Sequence, residues 1–499
     1  WAEVLRVEKV GVHDNYFELG GDSIQSIQIV SRVRREGLGL SVRQMFDLQT
    51  VAELAAALDS QAPAATTAEQ GEVRGSVPLT PIQHWFLGAG KVNPHRFNQT
   101  VMLEPGVPLT SELLEQAFEH LVSHHDALRL RFEYREDGWR QRHEAQAPVQ
   151  LETLVVPPGT AEEQSRCVAD CFERQQDGLN IETGPLVRAV LADYGPDRPQ
   201  RLLVVAHHLV VDAVSWRILV EDLSTLCDQL LEGRPPALPA KTTSFKAWSE
   251  RLGSLACDPA MSEELAFWAA VSQEGGELLT DRQGVNTVGS LASVEVSLDV
   301  SDTAALLQEV PSVYRTQIND ALLAALAVSF QGQANGSSLL IDLEGHGRED
   351  LAEDLDLSRT VGWFTSMFPV RLDLNDVVGP GEGLKRTKET LRAIPRRGIG
   401  YGMLRYLADG EALADLPTAQ VSFNYLGQIG EGPEQGSPRL RQVAEPTGAP
   451  LDSRNVRSHQ IDVLCRVSDG QLRASWYYSA NLHDRDTIET RAQIGRAHV

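Results

Sequence analysis

Residues 61–76 constrain this chain more than any other stretch. The run Ala62-Pro63-Ala64-Ala65-Thr66-Thr67-Ala68-Glu69-Gln70-Gly71 is small, polar and without periodicity, so it reads as a flexible linker. It divides the 499 residues into a short piece that can hold one helical bundle and a long piece with room for two cores. A tether of this kind raises the local concentration of one unit beside the other without fixing a pose.

The short piece, residues 1–60, has helical periodicity. Ile24, Ile27, Val30 and Val33 recur every third position and share one helix face. Val42 to Phe46 and Val51 to Leu58 predict two further short helices. The chain opens at Trp1, inside what reads as a helix (Trp1-Ala2-Glu3-Val4-Leu5), so the unit is expected to be truncated at its start. Asp22 or Ser23 would cap the Ile24 helix. A phosphate ester on Ser23 would sit at that helix N-terminus, where free N–H groups and the macrodipole favour an anion. Gly20 and Gly21 remove side chains that would crowd a modifying enzyme.

From Val77 onward apolar runs alternate with amphipathic stretches, which predicts an α/β or α+β architecture. Leu202-Leu203-Val204-Val205-Ala206 fits a buried strand and ends in His207-His208, and Trp216 to Leu230 then mark an amphipathic helix. His207-His208-x-x-x-Asp212 admits three readings: a metal site, which lacks a third ligand at suitable spacing; a structurally packed pair; and a general base or polariser at a strand-to-loop junction, the reading favoured here. His124-His125-Asp126 reads as structural, leading into a strand. Further on, Leu339, Ile341 and Leu343 share one strand face and Glu344 falls on the other. Glu344 is either a solvated acid beside Arg348 or a carboxylate withdrawn from water, with a raised pKa and the capacity to act as a base.

Other features exclude function classes. A formal net charge of -24 disfavours nucleic acid and anionic membranes as partners, and no apolar run is long enough to span a bilayer. Five scattered cysteines argue against a disulfide framework and for a reducing cytoplasm, and Cys167 and Cys171 lack a second ligand pair, so no metal site is expected. Gly398-x-Gly400-x-Gly402 lacks the strand–loop–helix context of a nucleotide loop. The tail Ile494-Gly495-Arg496-Ala497-His498-Val499 resembles translated sequencing adapter and is expected to be an artefact.

The run Asp14-Asn15-Tyr16-Phe17-Glu18-Leu19-Gly20-Gly21-Asp22-Ser23-Ile24 resembles the core motif of peptidyl carrier domains of nonribosomal peptide synthetases. The resemblance implies 4'-phosphopantetheine on Ser23, and Asp22 is similar to carriers paired with epimerization domains. Six ordered motifs resemble the epimerization branch of the condensation superfamily: Pro78-Leu79-Thr80-Pro81-Ile82-Gln83-His84-Trp85-Phe86, His207 to Trp216, Glu344 to Glu349, Val361-Gly362-Trp363-Phe364-Thr365, Gly398 to Gly402, and Phe423-Asn424-Tyr425-Leu426-Gly427.

That second resemblance implies two chloramphenicol-acetyltransferase-like lobes, at about 77–255 and 261–493, meeting at a cleft. It also implies inversion of the Cα of an aminoacyl or peptidyl thioester by proton removal and return. Glu344 and His208 are the implied opposed pair, with His208 the second acid/base or a stabiliser of the enolate oxygen. Tyr425 and Asn424 are implied for proton donation and carbonyl binding. His207 and Asp212 are structural, with Asp212 fixing the loop and the His208 tautomer. The implied partners are an upstream adenylation domain, a downstream condensation domain and a phosphopantetheinyl transferase. Ala213 departs from the family's glycine, and strain is expected if that position needs a positive φ. A peptide-bond-forming condensation domain and an inactive carrier-docking module are the alternatives.

Overall fold

The computed structural model describes residues 1–498 apart from 6, 60–67, 146, 274–275, 333, 353, 376–379, 409–410 and 429–439. Helix α1 (Ser23–Arg35) begins at a capping box. Asp22 Oδ1 accepts the Ile24 and Gln25 N–H groups at 2.9 and 2.8 Å, and the Gln25 side chain accepts the Asp22 N–H at 3.2 Å. Ile27 and Val30 of the expected face are buried beside Tyr16, whose hydroxyl donates to the Asp22 carbonyl at 2.8 Å. Helices Val42–Asp47 and Val51–Asp59 complete the bundle. The first part of the expected linker, residues 61–67, lies outside the described residues. Gly75 and Ser76 already pair with His143 and Arg142, so the large unit starts ahead of the expected boundary at 77.

The large unit is a mixed α/β structure of two lobes, as the alternation predicts. In the first, five strands run in the order Leu440–Gln442, Asn98–Pro105, β1 (Arg201–His207), Val187–Asp193 and Gln150–Val155. Leu202 to Ala206 form a continuous apolar run because helices cover both sheet faces, and all five are buried. Helix α2 (Ala213–Leu231) follows β1 and packs on helix Ser111–His124. His125 Nε2 pairs with Asp222 of α2 at 2.9 Å and strand Leu130–Arg135 follows, so the 124–126 histidines are structural.

The second lobe has six strands, in the order β3 (Ser366–Asp373), β2 (Ser338–Gly345), β4 (Val421–Gln428), β5 (Ile461–Ser468), Gln471–Ser479 and Leu291–Ser297. The lobes are not successive segments, as the 77–255 and 261–493 ranges expected. Strand Leu440–Gln442 leaves the second half of the chain and pairs along Asn98–Pro105, where it satisfies an otherwise open sheet edge. The final helix, Arg485–His498, runs through the tail expected to be an artefact and buries Gly495. No described helix is long and apolar enough to cross a membrane.

The carrier bundle lies against the second lobe. Gln428 Nε2 donates to the Gly20 carbonyl at 2.9 Å, the Arg397 guanidinium stacks 3.7 Å from the Phe46 ring centre, and Arg34 pairs with Asp356.

Candidate active site

β1 ends at His207, which is fully buried. Its Nε2–H donates to the Pro94 carbonyl at 2.8 Å and its Nδ1 accepts the Leu209 N–H at 3.2 Å. Burial pushes its pKa down to about 3, so it stays neutral and structural. His208 is half-buried between the rings of Phe97 (5.2 Å) and Trp363 (4.4 Å).

The tautomer of His208 follows from a chain of donors. The Trp216 indole can only donate, and it donates to Gln99 Oε1 at 2.9 Å. The Gln99 amide must therefore donate to His208 Nε2 at 2.8 Å, so the proton sits on Nδ1, 2.9 Å from the Val211 carbonyl. The tautomer is set by Gln99 and Val211, and not by Asp212 as the sequence leads one to expect.

Asp212 holds the loop in another way. It caps α2 through the Ser215 N–H at 2.7 Å and accepts the Phe364 N–H at 3.1 Å. Both its oxygens lie 3.1–3.2 Å from Arg348 Nη2. Arg348 is buried, donates to the Leu357 and Thr360 carbonyls, and lies over the Phe364 ring at 3.9 Å. The histidine motif and the glutamate motif are thus joined by one buried ion pair. Ala213 is the first residue of α2 and is not among the residues with left-handed φ, so the expected strain is absent.

Arg348 is therefore not the counter-ion of Glu344. Glu344 accepts one hydrogen bond, from Asn424 Nδ2 at 2.6 Å. Burial, then the charges of Asp462 and Asp342, push its pKa up to about 7, against the opposing pull of His459 and the Asn424 hydrogen bond. Such a carboxyl exists in both forms near neutrality, as a group that takes and returns protons needs.

Ser23, Asp22, Glu344, Asn424 and Tyr425 all border one cavity of about 810 Å³, together with Asp212 and the first residues of α2, Ala213 and Val214. His207 and His208 are not in that lining. Tyr425 follows Asn424 on β4 and projects from the opposite face, toward Cys465 and Asp22. Its hydroxyl is buried without a partner and its pKa is driven well up by burial and by Asp22. Asp22 Oδ2 is likewise buried and unpartnered, and burial raises the Asp22 pKa.

The cavity fits a long arm on Ser23: the serine opens a thirteen-residue helix and stands at the rim of the space that contains Glu344. Sequence reasoning does not find Gln99 or the groups behind Glu344, and it includes Trp216 and Arg348 in their motifs without the role the fold gives them. Only Asp342, two positions before Glu344 on the same strand face, carries a readable signal.

Comparison with known proteins places this geometry. The condensation-domain family model matches residues 73–498, and a phosphopantetheine attachment site model matches residues 1–58. The chain is 44% identical over 502 residues to a linear gramicidin synthase of Brevibacillus parabrevis, a match that covers 99% of this chain and 10% of that protein. It is equally identical over 502 residues to chondramide synthase cmdD of Chondromyces crocatus, covering 99% of this chain and 13% of that protein. It thus spans about a tenth of the length of these relatives. The crystal structure of the epimerization domain from the third module of tyrocidine synthetase B superposes with a TM-score of 0.80 at 34% identity, over 86% of this chain and 98% of that one.

Proposed function

From the premise that the chain belongs to the condensation-domain family, with a phosphopantetheine attachment domain ahead of it, we propose that it is the carrier–epimerization segment of a nonribosomal peptide synthetase, inverting Cα of an aminoacyl or peptidyl thioester. The single observation that carries this reading is Glu344, a carboxyl with a pKa near 7 in the cavity that Ser23 borders. The structural relative with a TM-score of 0.80, an epimerization domain, supports it.

The phosphopantetheine arm on Ser23, when present, presents the substrate as a thioester, whose Cα–H is more acidic than that of an amide. Glu344 takes or returns the Cα proton on one face, with Asn424 orienting its carboxylate. His208, which does not line the cavity in this structure, is assigned the opposite face through Nε2, the nitrogen left unprotonated by the Val211 bond. That role requires the Gln99 amide to yield its place and the ring to be opened to the cavity beside Asp212 to Val214. Asp212 and Arg348 hold the two motifs in register. Domain limits of 1–60 and about 73–498 fit this division of labour. The partners that follow are an adenylation domain that loads the carrier, a condensation domain that consumes the product, and a phosphopantetheinyl transferase.

The test is to load Ser23 with an L-aminoacyl-phosphopantetheine, incubate in deuterated water, and analyse the released amino acid. Deuterium at Cα with mixed D and L forms is the expected result. Unchanged L substrate refutes the reading, and peptide-bond formation with a second loaded carrier would assign a condensation domain instead.

A further inference from the structure

Strand register places a second charged group directly behind Glu344. Asp342 of β2, Ser422 of β4 and Asp462 of β5 lie side by side on one face of the sheet. Glu344 and Asn424 lie on the same face two residues further along, roughly 7 Å away. His459, buried in the loop before β5, fills the row. Its Nε2 is 2.8 Å from Asp342 Oδ2 and its Nδ1 is 3.4 Å from Asp462 Oδ1. A ring with a carboxylate at each nitrogen can satisfy both only by donating from both, as an imidazolium does.

The other Asp462 oxygen is held by Arg457 at 2.6 Å, and Ser422 donates to Asp462 Oδ1 at 2.5 Å. Without His459, Asp342 would lose its hydrogen-bonded imidazolium beside Glu344.

We propose that His459, clamped between Asp342 and Asp462, is a positioning residue that supplies the fixed positive charge against which Glu344 takes up and releases its proton. The inference rests on the reading of Glu344 as the acid/base group. Burial alone would lower the His459 pKa, but the two carboxylates outweigh it and hold it up at about 10. The remaining charged and titratable groups facing the row are Tyr401, Arg405 and Tyr406, toward Asp342, and Lys91, toward Asp462. On the β3 side Glu344 is level with Met367, which carries no charge. Tyr425 and Cys465 occupy the other face.

The experiment follows the Glu344 carboxyl itself by carbon-13 NMR of the full chain, assigned by the signal lost in Glu344→Gln. His459→Gln removes the cation and leaves both aspartates, so the Glu344 midpoint should rise by about one unit or more. Asp342→Asn removes a neighbouring negative charge and leaves the imidazolium paired with Asp462, so the midpoint should fall. Opposite shifts cannot arise from loosened packing alone. The acid limb of the Cα exchange rate should move with each midpoint. Midpoints that stay in place, or that move in the same direction, overturn the proposal. Should His459→Gln not fold, Asp342→Asn decides: a downward shift supports the proposal, and an unmoved or raised midpoint overturns it. Opposite midpoint shifts in a chain that exchanges no Cα proton at any pH would sink the epimerization reading and leave the charge relation standing.

Discussion

Among single side chains, Glu344 and His208 lie on motifs joined by Arg348 and Asp212, whereas Tyr425 faces the carrier. Glu344→Gln and His208→Ala should each lower Cα deuterium exchange by roughly 10²–10⁴-fold, the usual range for general acid–base assistance. Tyr425→Phe should lower it far less when a free aminoacyl-pantetheine is supplied; a loss equal to that in Glu344→Gln would return Tyr425 to the proton-transfer step. On the proposed reading, with Glu344 taking the Cα proton and burial pushing its pKa up to about 7, exchange should climb as pH passes through 7. The same shift has a stability cost of unusual sign for a carboxyl. Its folded pKa lies above the ordinary glutamate value of 4.5, so native stability falls as pH rises from about 4.5 to about 7. Glu344→Gln should therefore gain stability relative to the parent across that window, as read by denaturant midpoints at several pH values. Ser23 and Glu344 are legible because their chemistry sits in contiguous motifs. The motif groups Tyr425 with Asn424 because they adjoin in sequence, although strand alternation sends neighbouring residues to opposite faces. Gln99 leaves no signal because its partners are remote in the chain, and His459 leaves none because Asp462 three residues on carries no meaning until the fold brings in Asp342, 117 positions away.

Individual elements add a constraint that local propensity does not contain. The first turn of α2 is fixed at one end by the Asp212 cap and across the lobes by Arg348, both buried. The strand ending in paired histidines and the helix after it are both readable from their periods, but the partner that locks their junction is not. Sequence proximity offers Arg348 as company for Glu344, four residues away, and the fold gives it to Asp212 instead. Removing one member of a buried pair leaves the other charge uncompensated, so Arg348→Met should cost about 3–5 kcal/mol in denaturant unfolding of the large unit. Ala213 is an ordinary first helical residue. Ala213→Gly should leave exchange rates unchanged and cost less than about 1 kcal/mol. A marked gain in activity from that glycine would mean that the loop does adopt a second conformation in turnover. Strand Leu440–Gln442 shows the same limit of local reading: three residues carry no period, and their place is decided by an open edge in the other lobe.

On the scale of the whole molecule, the proposed reaction requires the carrier to present Ser23 to the cavity that Glu344 lines, and the carrier's contacts with the second lobe offer a way for it to be recognised. Asp22 caps α1 with one oxygen and lays the other against Gly427, whose backbone is left-handed at φ +77. A Cβ at Gly427 would lie 2.6 Å from that carboxylate, too close for any real contact, and the φ would be strained as well. The two-unit division is legible from the polar linker, whereas this seam is not, because it joins residues some four hundred positions apart. Gly427→Ala should therefore displace the docked carrier while leaving the Glu344 site intact. Loading of Ser23 by the transferase should be unaffected, because α1 and its cap are unchanged. Exchange from the tethered substrate should fall at least about tenfold, as the effective concentration gained from docking is lost. Exchange from free aminoacyl-pantetheine should hold, since that substrate needs no carrier. Equal losses in both assays would mean that Gly427 supports β4 and the Glu344–Asn424 pair, and that carrier docking is decided elsewhere on the surface, at Arg397 and Asp356.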